Sequence, residues 1–264
     1  MTYTLLHFSL PRMRSDNMRS VIWMVSVLTL CLGMLQAGVV GAQEKTQLKL
    51  GEFVYGTIND QTYEVSYSFS GKKGDIVTLE MLPDPANHGD LNTAVELRDS
   101  SGETLARNDL FSWPLSLVVA ELPADGMYQA VATRSDGSFG KTSGDYMFRL
   151  SFPTLVDRGT NIDAKVNSDV NAPPLIYILR PEKDMPLQFN FRQQGGDLYA
   201  SLTVLRWLPN EYPETVVNLD GTSGLNRAQL FTNLTAGYFY VLVVQQTSEA
   251  MRDPEYFKVT IGLI

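Results

Sequence analysis

From Glu52 to Phe152 the chain is divided into short apolar runs ended by turn residues, and the runs alternate in period two rather than winding with a helical period. Tyr63, Val65, Tyr67 and Phe69 fall on one side of their run, with Glu64, Ser66 and Ser68 on the other. That alternation predicts a strand with one packed face. Further runs are Glu52–Ile58, Ile76–Met81, Thr93–Arg98, Thr104–Ala106, Leu115–Leu122, Gly126–Ala132 and Tyr146–Phe152. Asn59-Asp60, Gly71–Asp75, Asp99–Gly102 and Pro123–Gly126 have turn composition between them. Eight short strands at this spacing predict an antiparallel sandwich, because each one-sided sheet must bury its apolar face against another layer.

The pattern then recurs. Gly126–Ala132 has a partner in Gly237–Val243, and each follows a turn opened by Leu122-Pro123-Ala124 or Leu234-Thr235-Ala236. Gly74-Asp75-Ile76 is echoed by Gly196-Asp197-Leu198. On this reading Ile176–Leu179 takes the place of the Phe53 run and Leu187–Phe191 that of Val65–Phe69. Leu198–Leu205 stands for Ile76–Met81, Thr215–Asp220 for the Thr93 run and Phe257–Ile261 for Tyr146–Leu150. A repeat of roughly one hundred residues has the size of a small domain rather than of a solenoid unit. The expected architecture is all-β, two tandem antiparallel sandwich domains at 43–156 and 157–264, divided in the polar stretch Asp157–Asn161. Phe239, Val241 and Val243 are expected inward in the second domain. Tyr238, Tyr240, Leu242 and Val244 then form an apolar outer face that the other domain or a partner must cover.

Several of these segments together resemble a known family. They are Gly56-Thr57-Ile58, the Tyr63–Phe69 strand, Gly74–Leu79, Leu91–Ala106, Leu122–Gly126 and Gly144–Leu150. In that order they are similar to the bacterial pre-peptidase C-terminal domain, a jelly-roll-like β-sandwich attached to secreted peptidases and collagenases. The resemblance covers residues 48–152, and the second copy is more divergent. It implies a non-catalytic accessory role in substrate or matrix attachment. No peptidase domain accompanies the modules in this chain, so the resemblance points to a stand-alone binder, a surface component or a subunit.

The segment before the sandwiches places the protein. Val21–Gln36 is an apolar run preceded by Arg12, Arg14 and Arg19 and followed by Val40-Gly41-Ala42. Charged start, apolar core and small residues are the order of a secretory signal ending at residue 42. An uncleaved anchor over residues 21–42 is the other reading, so the protein is expected to be secreted, periplasmic or at the cell surface. Cys31, the one cysteine, follows bulky Leu30 inside the apolar run, which does not suit lipoprotein processing. A chain cleaved after Ala42 has no disulfide, thiolate or zinc–thiolate chemistry. The net charge of −8 argues against nucleic acid as a partner.

Candidate chemistry is sparse. His88 sits in the polar segment Ala86–Asp90, with no nucleophile beside it in sequence, and reads as a loop histidine. No H-E-x-x-H, G-x-S-x-G or phosphate-loop pattern occurs. Asp84, Asn87, Asp90 and Asn92 cluster before the Thr93 run, with Asp109 in a neighbouring turn, and hard cations such as calcium want such oxygens. Some members of the resembled family bind calcium around an Asp-x-Asp motif. Asp90-Leu91-Asn92 matches that motif with one charge exchanged for an amide, and solvated turn residues are the competing reading. Trp207 and Tyr212, among Pro209 and Pro213, and Trp113 beside Pro114 offer rings for a sugar or partner, or for a satellite cluster. The leading reading is an exported binding or accessory module for a polysaccharide, matrix protein or partner protein. A structural or assembly subunit of the envelope comes second, and a carboxylate-based hydrolase third.

Overall fold

The computed structural model describes residues 46–87, 89–109, 115–167, 169, 172–194, 200–207, 213–219, 227–246 and 256–264, with the backbone alone at 194 and 256–258. The eight runs of the first half are all strands: β1 (Phe53–Ile58), β2 (Glu64–Gly71), β3 (Ile76–Pro83), β4 (Thr93–Arg98), β5 (Thr104–Asn108), β6 (Ser116–Glu121), β7 (Gly126–Arg134) and β8 (Gly144–Ser151). Nine more follow: β9 (Thr154–Leu155), β10 (Asn161–Asn167), β11 (Leu175–Leu179), β12 (Met185–Gln194), β13 (Ala200–Trp207), β14 (Glu214–Leu219), β15 (Arg227–Leu234), β16 (Phe239–Gln246) and β17 (Tyr256–Leu263). A 3-10 turn at Gly137–Phe139 is the helical element among the described residues. The fold is all-β and mostly antiparallel; β9 pairs parallel to β11, and Gln47 makes an isolated parallel bridge to Ser68.

Four sheets result, with strand orders β2-β7-β4-β5 and β1-β8-β3-β6 in the first half and β14-β13-β16-β11-β9 and β10-β17-β12-β15 in the second. The order β10-β17-β12-β15 repeats β1-β8-β3-β6 with every strand number raised by nine, and β11-β16-β13-β14 repeats β2-β7-β4-β5 likewise, both shown by the same sheet orders. By position in the sheets, Ile176–Leu179 therefore stands where β2 stands, not β1, and Leu187–Phe191 stands where β3 stands. The expected pairing slipped by one strand because β10 went uncounted. Its Asn161-Ile162-Asp163-Ala164-Lys165-Val166-Asn167 alternates between exposed polar and buried apolar positions, but the inward residues are few and the segment reads as polar.

Period-two alternation fills the first core. Tyr67 stacks on Phe148 at 5.3 Å between ring centroids, and Phe69 stacks on Tyr128 at 5.6 Å. The hydroxyls of Tyr67 and Tyr146 meet at 2.8 Å inside the core. Gly56 lies opposite Tyr146 on β1, where a Cβ would come within 2.5 Å of the phenol oxygen, so only glycine leaves room for that ring. Burial pushes both phenols above their usual ionisation range, and in Tyr146 the hydrogen bond to Tyr67 adds to the effect.

In β16 the faces are the reverse of those expected. Tyr240, Leu242 and Val244 enter the second core, while Val241 and Val243 join the cluster that holds Leu79, Phe148 and Leu150 of the first half. The cause is a turn shared by both halves. Tyr128 donates its hydroxyl to the Ala124 carbonyl at 2.6 Å, and the Tyr240 hydroxyl accepts from Thr235 N–H at 2.7 Å. Leu122 and Leu234 stand 112 positions apart, as do Tyr128 and Tyr240, whereas Gly126 and Gly237 stand 111 apart. Matching on glycine inverts the phase; matching on the tyrosine that closes the turn restores it.

The sheet β14-β13-β16-β11 is consequently apolar on both faces. Ile178, Leu205, Trp207, Val241 and Val243 on one face pack into the first half's buried cluster. Leu179, Leu202, Val204, Leu242 and Val244 on the other pack with Phe189, Phe191 and Ile261. A sheet covered on both sides reads as a continuous hydrophobic run, which accounts for Val241–Val244. Residues 46–264 form one compact unit, and its buried cluster continues past Asp157. Arg180 ties the halves at the surface, pairing with Glu121 of β6 at 2.5 Å with its guanidinium 5.0 Å from the Phe239 ring centroid.

Candidate functional site

Where the second half covers the β1-β8-β3-β6 sheet, one polar group is buried with it. In β3 the residues Val77, Leu79 and Met81 enter the first core, so the alternating Thr78 and Glu80 face the second half. The register sets Arg149 of β8 across from Glu80 and Phe53 of β1 across from Arg149. Glu80 is 2% exposed. Its Oε2 accepts from Arg149 Nη2 at 2.5 Å, and its Oε1 accepts from the Ser151 hydroxyl at 3.2 Å and the Thr78 hydroxyl at 3.5 Å. The Arg149 guanidinium lies 4.4 Å from the Phe53 ring centroid, and its Nε is buried with no protein partner among the described residues. A buried carboxylate is tolerated only when paired and hydrogen-bonded, and this one is both.

This ion pair lines a cavity of about 470 Å³ at the junction of the two halves. Phe53, Thr78, Arg149, Ser151, Phe152 and Pro153 line it from the first half, and Leu175, Ile176, Tyr177, Val244, Gln245 and Gln246 from the second. Lys165 to Asn167 of β10 and the Pro173-Pro174 pair also border it. The Tyr177 phenol is pushed above its usual range by burial. Glu80 and Asp169 offset Arg149 and Lys165, so the formal charges of the lining cancel. The volume lies within the ~300–1,000 Å³ usual for small-ligand sites. Sequence reading passed over Glu80 and Arg149 because a charge on the outer face of a strand looks solvated. The available signal was their position inside Ile76–Met81 and Phe148–Leu150, two otherwise apolar strands.

The acidic loop before β4 is held by one bond within itself and by the segment that leads into β8. Asp84 Oδ1 accepts from Ala86 N–H at 2.8 Å, and Asp90 Oδ1 from Ser143 N–H at 2.9 Å. Asn87 donates its side-chain amide to Asp145 Oδ2 at 2.6 Å, and the Asn92 N–H donates to the Thr142 hydroxyl at 3.2 Å. Asp109 lies 3.7 Å from Arg107. Hydrogen bonds from the Thr57 hydroxyl and from Asn87 hold the Asp145 carboxyl below its usual range. Among the described residues no three His, Cys, Asp or Glu side chains come together as a metal site. Trp207 is 1% exposed in the contact between the halves and offers no open ring. Trp113, Tyr212 and His88 lie outside the described residues, as does the run at 21–42. Among the described residues no helix is long and apolar enough to cross a membrane.

No protein-family model matches the chain. A stretch of 95 residues is 33% identical to a probable subtilase-type serine protease of Deinococcus radiodurans, spanning 36% of this chain and 12% of that protein. The pre-peptidase C-terminal domain of a Bacillus anthracis collagenase superposes with a TM-score of 0.33 at 13% identity, over 40% of this chain and 94% of that domain. The tandem CBM22-1–CBM22-2 domains of Paenibacillus barcinonensis Xyn10C give a TM-score of 0.23 at 12% identity, over 85% of this chain and 94% of theirs. The likeness to the pre-peptidase C-terminal domain is distant and partial. The matched stretch is a small part of that protease, and the sequence carries no H-E-x-x-H, G-x-S-x-G or phosphate-loop pattern.

Proposed function

We propose that the protein is an exported accessory module that binds an extracellular polysaccharide or protein in the cavity between its halves, and that these halves are two divergent copies of one pre-peptidase C-terminal-like, jelly-roll-like sandwich. The observation that carries the reading is the cavity itself. Both halves supply its walls, and its buried Glu80 is held by Arg149, Ser151 and Thr78. The repeated strand order and the paired Tyr128 and Tyr240 turns support duplication. The apolar run ahead of Ala42 supports export. The second-placed assembly reading relied on an uncovered Tyr240–Leu242 face, and those residues lie in the core.

The test is thermal stability of residues 43–264 against soluble polysaccharide fragments and collagen peptides. A ligand at a hundred times its Kd stabilises the folded state by about 2.7 kcal/mol, a rise readily seen by fluorimetry. The expected ligand raises the melting temperature of the wild type and not of Gln245→Arg, which puts a long cation into the cavity. A ligand that stabilises both proteins equally places binding elsewhere.

A further inference from the structure

We infer that the occupant of the cavity is a segment of a neutral polysaccharide chain; this rests on the reading of the protein as a binding module and adds the chemistry of the ligand. The first ground is charge. Glu80 and Arg149 are paired with each other at 2.5 Å, and Lys165 and Asp169 bring one further charge of each sign, so the lining carries no net charge to favour a phosphate, a carboxylate or a cation. The chain's net charge of −8 repels acidic polymers before they arrive.

The second ground is the alternation of surfaces. Phe53, Phe152, Tyr177 and the Pro173-Pro174 pair are broad and apolar, while Asn167 and Gln245 bring amides that both donate and accept. A pyranose has the same two characters, a C–H face that packs on rings and hydroxyls at its rim that donate and accept. The third ground is Arg149 itself, a cavity-lining side chain that is 23% exposed and whose Nε has no partner among the described residues. Phe53 already carries the Arg149 guanidinium 4.4 Å from its centroid, so ring and donor are fixed relative to each other before a ligand enters.

The experiment is native electrophoresis of residues 43–264 through gels containing, one at a time, β-glucan, arabinoxylan, galactomannan and acidic polygalacturonate, beside a separate assay on immobilised gelatin. Phe53→Ala removes a ring, and Arg149→Lys keeps the charge but removes Nε. Circular dichroism confirms that each variant is folded, and Gln245→Ala serves if Phe53→Ala is not. Retardation by at least one neutral polymer, weakened about tenfold in either folded variant, supports the inference. Retardation by polygalacturonate alone, or neutral retardation unchanged in every folded variant, overturns it. Binding to gelatin that the same variants weaken, with no retardation by saccharide, also overturns it but leaves the binding-module reading standing. Loss of all binding in both assays sinks the two together.

Discussion

Replacing Arg149 by methionine tests whether the second half truly shields the β1-β8-β3-β6 sheet from water. The variant keeps a flexible apolar stem of similar reach but removes the Nη2 donor that meets Glu80 Oε2 at 2.5 Å. Glu80 would retain only the hydroxyls of Ser151 at 3.2 Å and Thr78 at 3.5 Å, with its carboxylate 2% exposed. Breaking a buried pair this way costs about 3–5 kcal/mol. Arg149 itself is 23% exposed, so water can reach part of the gap and the lower end, about 3 kcal/mol, is expected. For a unit of this size that is a fall in Tm of about 6–12 °C. Glu80→Gln combined with Arg149→Met removes the stranded charge and recovers much of the loss. Urea melts at pH 7, with an unchanged denaturant slope, measure both. If Arg149→Met lies within ~0.5 kcal/mol of wild type, as surface substitutions usually do, the carboxylate is wet and the packing of the two halves described above is wrong.

Three further outcomes follow from particular contacts. Tyr67→Phe leaves the Tyr146 hydroxyl unpaired in the core and costs about 1–3 kcal/mol, whereas Tyr67→Phe with Tyr146→Phe is close to neutral; chemical denaturation distinguishes them. Both phenols ionise at higher pH folded than unfolded, so their contribution is complete below the unfolded value of about 10 and is lost as pH rises past it. Titration at 295 nm should therefore show two tyrosines ionising only as the protein unfolds. Trp207→Phe is tolerated because the indole Nε1 has no hydrogen-bond partner among the described residues, while Trp207→Ala loses about 3–5 kcal/mol; equal losses in urea melts would contradict the packing described. Calcium at millimolar concentration leaves the melting temperature unchanged, since Asp84 and Asp90 each already bind a backbone N–H; a rise of several degrees would show that they reorganise around the ion.

The first half is legible in the sequence because turn residues bound its apolar runs and most of its strands alternate, β6 being the strand that is apolar on both faces. Legibility falls in the second half for two opposite reasons. β10 is too polar to be noticed, with only Ile162, Ala164 and Val166 turned inward. β16 is too apolar to reveal which face is which, because it lies between two cores. The cavity was not legible at all. Glu80 and Arg149 are one strand apart in the sheet but 69 positions apart in the chain, and their burial depends on residues that begin beyond Pro153. The acidic loop illustrates the converse: Asp84 and Asp90 are close in sequence, yet their carboxylates turn to different backbone amides, Asp84 to Ala86 nearby and Asp90 to Ser143 across the fold.

The passage from β8 through Phe152-Pro153 into the two-residue strand β9 has a practical consequence for anyone wishing to transplant this protein. Thr154 and Leu155 leave the first half and are hydrogen-bonded at once alongside Tyr177 and Ile178. There is no slack tether at which to cut. A graft ending at Ser151 would bare the surface against which Val241 and Val243 rest, inviting aggregation. The smallest cassette to move between proteins is the whole of residues 46–264, carried as a single block.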